Sequence, residues 1–365
     1  MLVISITLWV LTACVVFMTV VPMSRVSHGF IRAADFPRQQ LLVLVVVLLG
    51  FAGWLNPAGW MWMMGLLALC GLNQGFYIGR YLPIWHVQSL RPRVNEAIEA
   101  GHTVSLIAAN VKKSNREYHR LIQLVRKIEP DILMALETDA DWVEGLASLA
   151  DTYPHVMTQP QDNGYGMAVY SKYPLELAAF RTLVVDDVPS LRARVTLPSG
   201  QSFRLYVLHP EPPVPFQNTE GRDAELGAAG IEVRDDPLPA IVAGDMNDVA
   251  WSITTKRFQN VSGLLDPRVG RGFFNTFSAR MPLMRWPLDH LFHDAQFRLV
   301  EMKRLEDINS DHFPMYFKLL LTPREEAETR PEEIEEEEME EVEDMIAREK
   351  KSNREAIGSE WEDEA

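Results

Sequence analysis

Three long apolar runs within the first 80 residues restrict the fold of this chain more than any other feature. Residues 1–21 carry no charged side chain and are long enough to cross a bilayer as a helix. Residues 41–55 form a second run of 15, short for a crossing, and residues 59–78 form a third. Asn56-Pro57-Ala58 separates the last two and suits a tight turn between helices. Runs this dense leave no polar face for water, so residues 1–80 are expected to form an anchor of about three transmembrane helices. The first run has no basic segment before it and no small-residue cleavage site, which reads as an anchor and not as a cleaved signal. Trp54, Trp60, Trp62, Tyr77, Tyr81 and Trp85 crowd the ends of the runs, where amphipathic rings favour the membrane interface.

The short loops give an expected orientation. Arg25, Arg32 and Arg38 lie between the first two runs, and Arg80, Arg91 and Arg93 follow the third. With three crossings both segments share one side, and their positive charge makes that side cytoplasmic. The expectation is a multi-pass protein of the cell membrane with its main domain in the cytoplasm. A second run that failed to cross would reverse the sides.

The net charge of −15 is unevenly spread. Residues 323–365 hold 6 Lys and Arg against 19 Asp and Glu, whereas residues 101–322 hold 23 against 28. The middle region is thus only mildly acidic and lacks the basic footprint that tight binding to long nucleic acid requires. Cys14 and Cys70 both lie in apolar runs, so no disulfide framework is implied. Residues 81–102 read as a juxtamembrane linker. Residues 323–365 read as an acidic tail, helical or disordered, with Ile334, Met339, Val342 and Ile346 at helical spacing. Its expected state is solvated, and docking of a protein partner is the alternative role.

Residues 103–322 alternate short apolar stretches with polar segments, the pattern of a mixed α/β domain. Strands are expected at 104–109, 131–136, 167–171, 203–208, 240–243, 288–292 and 315–321. Residues 115–128 show a helical period through Tyr118, Leu121, Ile122, Val125 and Ile128, and 139–149 and 251–265 are weaker helix candidates. Polar side chains collect where these strands end: Asn110, Glu137, His209, Asp245 with Asn247, Asp289, and Asp311 with His312. One Asn or Asp after a strand is usually a turn residue. A series of six such ends, rich in carboxylate and imidazole, instead places these groups on one rim of a sheet, where α/β proteins bind ligands.

The segments Ala109-Asn110-Val111, Leu136-Glu137-Thr138, Gly166 to Pro174, Gly244-Asp245-Met246-Asn247-Asp248, Leu288-Asp289-His290 and Ser310-Asp311-His312 resemble, in order, the motifs of the endonuclease/exonuclease/phosphatase superfamily. Trp251-Ser252 and Trp286-Pro287 look like its membrane-bound bacterial branch with N-terminal helices. The resemblance implies a two-sheet β-sandwich flanked by helices in four layers. It implies a divalent metal, Mg²⁺ with Mn²⁺ as a substitute, held by Glu137 with Asn110 and Asp311. It also implies that Asp245 orients or deprotonates the attacking water and that Asn247 stabilises developing charge. His312, oriented by Asp289, would contact the scissile phosphate, and His209 matches a phosphate-contacting histidine of phosphatase and phospholipase branches. Lys112 departs from the acidic residue that apurinic/apyrimidinic endonucleases carry there. The expected function is a membrane-anchored, metal-dependent phosphoesterase acting on a small or lipid-linked phosphate ester or pyrophosphate. A membrane-tethered nuclease and a non-catalytic scaffold are the alternatives.

Overall fold

A computed structural model describes residues 2–93, 100–322, 331–352 and 354–358. Parts of the expected linker and tail, at 94–99, 323–330, 353 and 359–365, lie outside the described residues.

Helices α1 (Leu2–Val20), α3 (Arg38–Leu55) and α4 (Trp60–Gly79) are each long and apolar enough to cross a membrane. The second run is longer than its apolar core suggests, because α3 begins at Arg38 and not at Leu41. Arg38 is accommodated by ion pairing to Asp35 at 2.6 Å and by donation to Gln74 of α4 at 3.0 Å. Gln74 in turn donates to Thr19 of α1 at 3.0 Å, so the polar groups between the helices satisfy one another. Asn56, left-handed at φ 44°, ends α3 as the Asn-Pro turn requires. A short helix, α2 (Gly29–Ala33), lies between α1 and α3.

The remainder builds two sheets. The first has six strands, in order β10 (Phe297–Arg304), β11 (Met315–Leu321), β1 (Thr103–Asn110), β2 (Ile132–Leu136), β4 (Met167–Ser171) and β3 (His155–Gln159). The second has five, in order β5 (Leu175–Thr182), β6 (Pro189–Thr196), β7 (Ser202–Leu208), β8 (Ala240–Asp245) and β9 (Asp289–His293). Their inner faces meet in a core that includes Leu106, Met134, Val169, Leu205, Ile241, Leu291 and Phe317. Helices α5 (Tyr118–Ile128) and α6 (Ala140–Gly145) cover the outside of the first sheet, with Leu121, Val125 and Trp142 buried there. Helices α7 (Glu220–Asp235) and α8 (Ile253–Ser262) cover the second. The result is the helix–sheet–sheet–helix sandwich expected from the motifs.

In the described part of the tail, α9 (Glu336–Glu349) packs on α7. Val342 and Met345 turn onto that helix and not to solvent, and a Cβ at Gly227 would fall 2.7 Å from Val342. Arg257 of α8 pairs with Glu338 and Glu341, each at 3.0 Å.

The register aligns the functional ends. β1 and β2 run parallel with Asn110 opposite Leu136, so Glu137 follows directly beside Asn110. β7 and β8 run parallel with Leu208 opposite Gly244, and β8 pairs antiparallel to β9 with Asp245 opposite Asp289. Gly244 is needed here: its φ is 142°, and a Cβ would fall 2.0 Å from the Leu208 carbonyl oxygen.

Candidate active site

The strand ends converge at one end of the sandwich on a cavity of about 710 Å³, lined by Glu137, His209, Asp245, Asn247, Asp311 and His312 among others. Asn110 sits beneath it and bridges the two sheets. Its Nδ2 donates to Glu137 Oε1 at 2.5 Å and to Asp245 Oδ2 at 3.0 Å. Its Oδ1 accepts from the Lys112 backbone at 3.0 Å. Glu137 and Asn247 both adopt left-handed backbone, at φ 61° and 50°, the local strain often found where a side chain must be aimed at a ligand.

His312 lies between two carboxylates. Its Nδ1 meets Asp289 Oδ2 at 2.8 Å, and its Nε2 stands 3.5 Å from Asp245 Oδ2. Ser310 fixes the approach, accepting from the His312 backbone and donating to the Asn110 carbonyl at 2.8 Å. Burial opposes charge on His312, but Asp289 and Asp245 outweigh it and push its pKa up to about 10. Burial also raises Asp245, and it lowers His209, whose ring stacks obliquely near Tyr165.

Glu137 is pushed up to about 8, first by burial and then by Asp311 and Asp245, against the hydrogen bond from Asn110. A carboxylate crowded in this way is poised to exchange its proton for a cation, and the donors around it are mostly oxygen, the set a hard divalent ion prefers. Among the described residues, ligand atoms of Glu137, His209 and Asp245 lie within 4.8 Å of one another, as do those of Asp245, Asp289 and His312. Asp311 belongs to neither group. It accepts from Lys112 Nζ at 3.0 Å, and although burial works to raise it, His312 and Lys112 hold its carboxyl below the usual range.

Other contributors come from outside the motifs. Arg222 of α7 is fully buried, donates to the Asn247 carbonyl at 3.1 Å and stands 3.6 Å from Asp248. Thr276 accepts from the Asp289 backbone at 3.3 Å, and Phe277 packs 4.9 Å from the His312 ring. An arginine and an aromatic far away in the chain carry no local signal for such roles. His290, although inside a motif, does not face the cavity: it is buried, with Nε2 at 2.8 Å from the Asp248 carbonyl.

The two tryptophans beside the motifs face the N-terminal helical region. Trp251 donates to the Asp35 carbonyl at 2.8 Å, and Trp286 packs edge-on against Phe36 at 5.5 Å. They share an apolar cluster with Ile78 and Tyr81, while Tyr77 and Leu42 pack against it. Arg32 approaches Asp223 of α7 to 3.5 Å, and Arg25 pairs with Glu341 of α9 at 3.0 Å. The α1–α3 connection and the segment after α4 therefore both dock on the same sandwich domain.

Fold and site together define an α/β sandwich of the kind that carries phosphate-ester hydrolysis, with its polar groups gathered at one end of two sheets. The chain belongs to the Endonuclease/Exonuclease/phosphatase family, whose model matches residues 107–312, more than half its length. Members of that family are hydrolases acting on phosphate esters, typically with a divalent metal. A comparison with curated proteins finds no match. Solved structures of similar fold include D. rerio TDP2 humanized by 14 mutations (TM-score 0.50, 19% identity, covering 60% of this chain and 99% of that one). D. rerio TDP2 complexed with single strand DNA product is similar too (TM-score 0.51, 18% identity, 60% and 98%). So is the human Nocturnin catalytic domain with bound sulfate (TM-score 0.50, 15% identity, 60% and 94%).

Proposed function

We propose that this protein is a membrane-anchored, metal-dependent phosphoesterase that hydrolyses a phosphate ester or pyrophosphate of an amphiphilic, lipid-linked substrate. The observation that carries the catalytic part is the line Asp289–His312–Asp245 facing Glu137 and Asn110 across one cavity. Glu137, with Asn110 and Asp311, would hold Mg²⁺ or Mn²⁺. When bound, the ion supplies a Lewis acid on the phosphoryl oxygens and offsets charge that develops there. Asp311 already shares one oxygen with Lys112, which leaves Glu137 as the principal donor.

The chain's own groups divide the remaining work. Asp245, its Oδ1 accepting from the Asn247 backbone at 2.9 Å, orients the attacking water through its other oxygen. Asn247 uses one Nδ2 hydrogen on the Pro210 carbonyl at 2.9 Å and keeps the second for a phosphoryl oxygen. Asp289 fixes the His312 tautomer and favours the imidazolium, so that Nε2–H is offered to the scissile phosphate. His209, held neutral by burial, contacts the phosphate from the opposite sheet strand.

The lipid part rests on the rim of the cavity. Ala33, Phe36 and Pro37 of the anchor connection line it together with Pro212, Pro213 and Pro215. Phe216 is 84% exposed and stacks on Phe30, which packs on Phe17 of α1. Leu283 is 85% exposed, and its carbonyl accepts from Gln40 in the first turn of α3. The two apolar loops are thus attached at the end of α1 and at the start of α3, which suits a site that draws substrate from the bilayer surface. A nuclease reading finds less support: among the described lining residues Lys112 is the one lysine or arginine, and it is paired.

Detergent-purified protein assayed with Mg²⁺ on a generic phosphodiester, lipid phosphates and pyrophosphates, and supercoiled plasmid separates these readings. Turnover of the lipid substrates, lost with chelator and with His312→Ala, is the expected result. Plasmid nicking with the same losses, and none on lipids, would replace it with the nuclease reading. Silence across the panel would favour a scaffold.

A further inference from the structure

We propose that residues 354–358, within the acidic tail, form a specificity-determining wall of this chain's own substrate cleft, latched in place by Arg354 on Glu211. The inference rests on the phosphoesterase reading of that cleft and goes beyond it by assigning the tail a part in substrate selection.

Glu211 is fully buried and lies two residues after His209. Arg354 meets it with both terminal nitrogens, Nη1 to Oε1 at 2.6 Å and Nη2 to Oε2 at 2.7 Å, the planar fork that guanidinium and carboxylate favour. The Ile357 backbone N–H donates to the same Oε1 at 2.7 Å. Arg354 is braced from behind by Glu349 at the end of α9, at 3.0 Å. Beyond this latch, Ile357 and Gly358 line the cavity that holds Asp245 and His312. Tyr165 ties the two together: its hydroxyl donates to the Ile357 carbonyl, and its ring centroid lies 5.5 Å from that of His209.

The catalytic domain leaves room for this arrangement. A Cβ on Gly221, in the first turn of α7, would fall 2.1 Å from both Arg354 Nη2 and Glu211 Oε2. Gly227, two turns on, leaves the space filled by Val342 of α9. A strap needed only to stabilise α7 could stop at α9, where Val342 and Met345 already bury its apolar face. The chain continues past that point, neutralises a buried carboxylate beside the site and puts an isoleucine into the cleft wall. A carboxylate left there without Arg354 would be a buried, uncompensated charge, so the latch holds firmly in the folded protein.

The test uses full-length protein and two diesters with the same p-nitrophenolate leaving group, one with a methyl and one with a bulky alkyl second ester. Wild type, Arg354→Ala and Ile357→Ala are compared, and backbone hydrogen exchange of 354–358 is followed in wild type and Arg354→Ala. The expected result is slow exchange in wild type and fast exchange in Arg354→Ala. With it, kcat/KM for the bulky diester over the methyl diester rises roughly tenfold in both variants, mainly through KM. Arg354→Ala keeps kcat for the methyl diester within about twofold. A ratio unchanged in both variants while exchange in Arg354→Ala is fast would overturn the wall, and fast exchange already in wild type would overturn the latch. No wild-type turnover of either diester, with 354–358 protected, would instead overturn diester cleavage in this cleft and the selective role with it.

Discussion

His312 is the residue on which the chemistry turns, because two buried carboxylates face its two ring nitrogens. Removing the Asp289 charge takes away both the tautomer control and most of what favours the imidazolium. Asp289→Asn is expected to lower kcat/KM by about 10²–10⁴-fold, and His312→Ala combined with it should lose little more than His312→Ala alone, since the pair acts as a unit. Steady-state kinetics on the four proteins would measure this, and additive losses would argue that Asp289 works independently of His312. Glu137 carries a separate expectation. Glu137→Gln removes the anionic donor and should weaken Mn²⁺ binding at least about tenfold by calorimetry. Unchanged affinity would move the cation elsewhere.

Secondary-structure elements set how these residues meet, and two tests belong here. Gly244→Ala forces a Cβ against the Leu208 carbonyl at a φ that side chains rarely adopt. It should lower the stability of the domain by about 2 kcal/mol or more, visible as a reduced unfolding midpoint in detergent. Glu225 on α7 accepts from the Val184 and Val185 backbones at 3.0 and 2.9 Å, yet burial pushes its pKa up to about 7 from an ordinary 4.5. The native state therefore keeps a proton that the unfolded chain releases. The stability linked to it is full below about pH 4.5 and is lost as pH rises through about 7. Glu225→Gln keeps the acceptor without the charge, so its stability relative to wild type should improve by about 1–3 kcal/mol between pH 5 and pH 8. A pH-independent difference would contradict that.

These elements also explain what could be read before the structure. Buried strands such as β1, β2 and β8 are continuous apolar runs, and the carboxylates and imidazoles behind them stand out for that reason. β3, β5 and β10 carry no such signal in the sequence. They lie at sheet edges, half exposed, and in β5 and β10 a register shift between Glu176 and Ala179 and between Leu299 and Glu301 breaks the two-residue period. β6 hides its alternation behind Arg192 and Arg194, which pair with Asp236 and Glu176. α7 has no apolar stripe because it buries Arg222, Asp223, Glu225 and three close-packed glycines, Gly221, Gly227 and Gly230. Residues 115–128 were expected as one helix, but α5 starts at Tyr118 because the Asn115 side chain accepts from the Glu117 backbone and holds a turn there.

At the scale of the whole molecule, the N-terminal helical region and the sandwich domain share a packed boundary. Trp251 and Trp286 join them, and Arg32, Asp35, Asp223 and Arg222 form a buried charged layer beside it. The arginines that suggest orientation are therefore partly explained by pairing: Arg32, Arg38 and Arg25 each have an acidic partner. Both connections contact one domain, as they would if α3 and α4 each cross, and we propose a cytoplasmic catalytic domain from the loop charges. Reporter fusions at Thr322 should be active only in the cytoplasm, and activity only outside would reverse the topology. Trp286→Ala, which opens the boundary next to Leu288 and Asp289, should destabilise the protein by about 3–5 kcal/mol.

The most direct test is hydrolysis of a lipid phosphodiester in proteoliposomes, followed with Mg²⁺ and with chelator, for wild type and His312→Ala. Metal-dependent turnover by wild type that falls by at least about 10²-fold in His312→Ala is the predicted result. Turnover that survives either chelator or the substitution would contradict a metal-assisted site built on Glu137, Asp245 and His312.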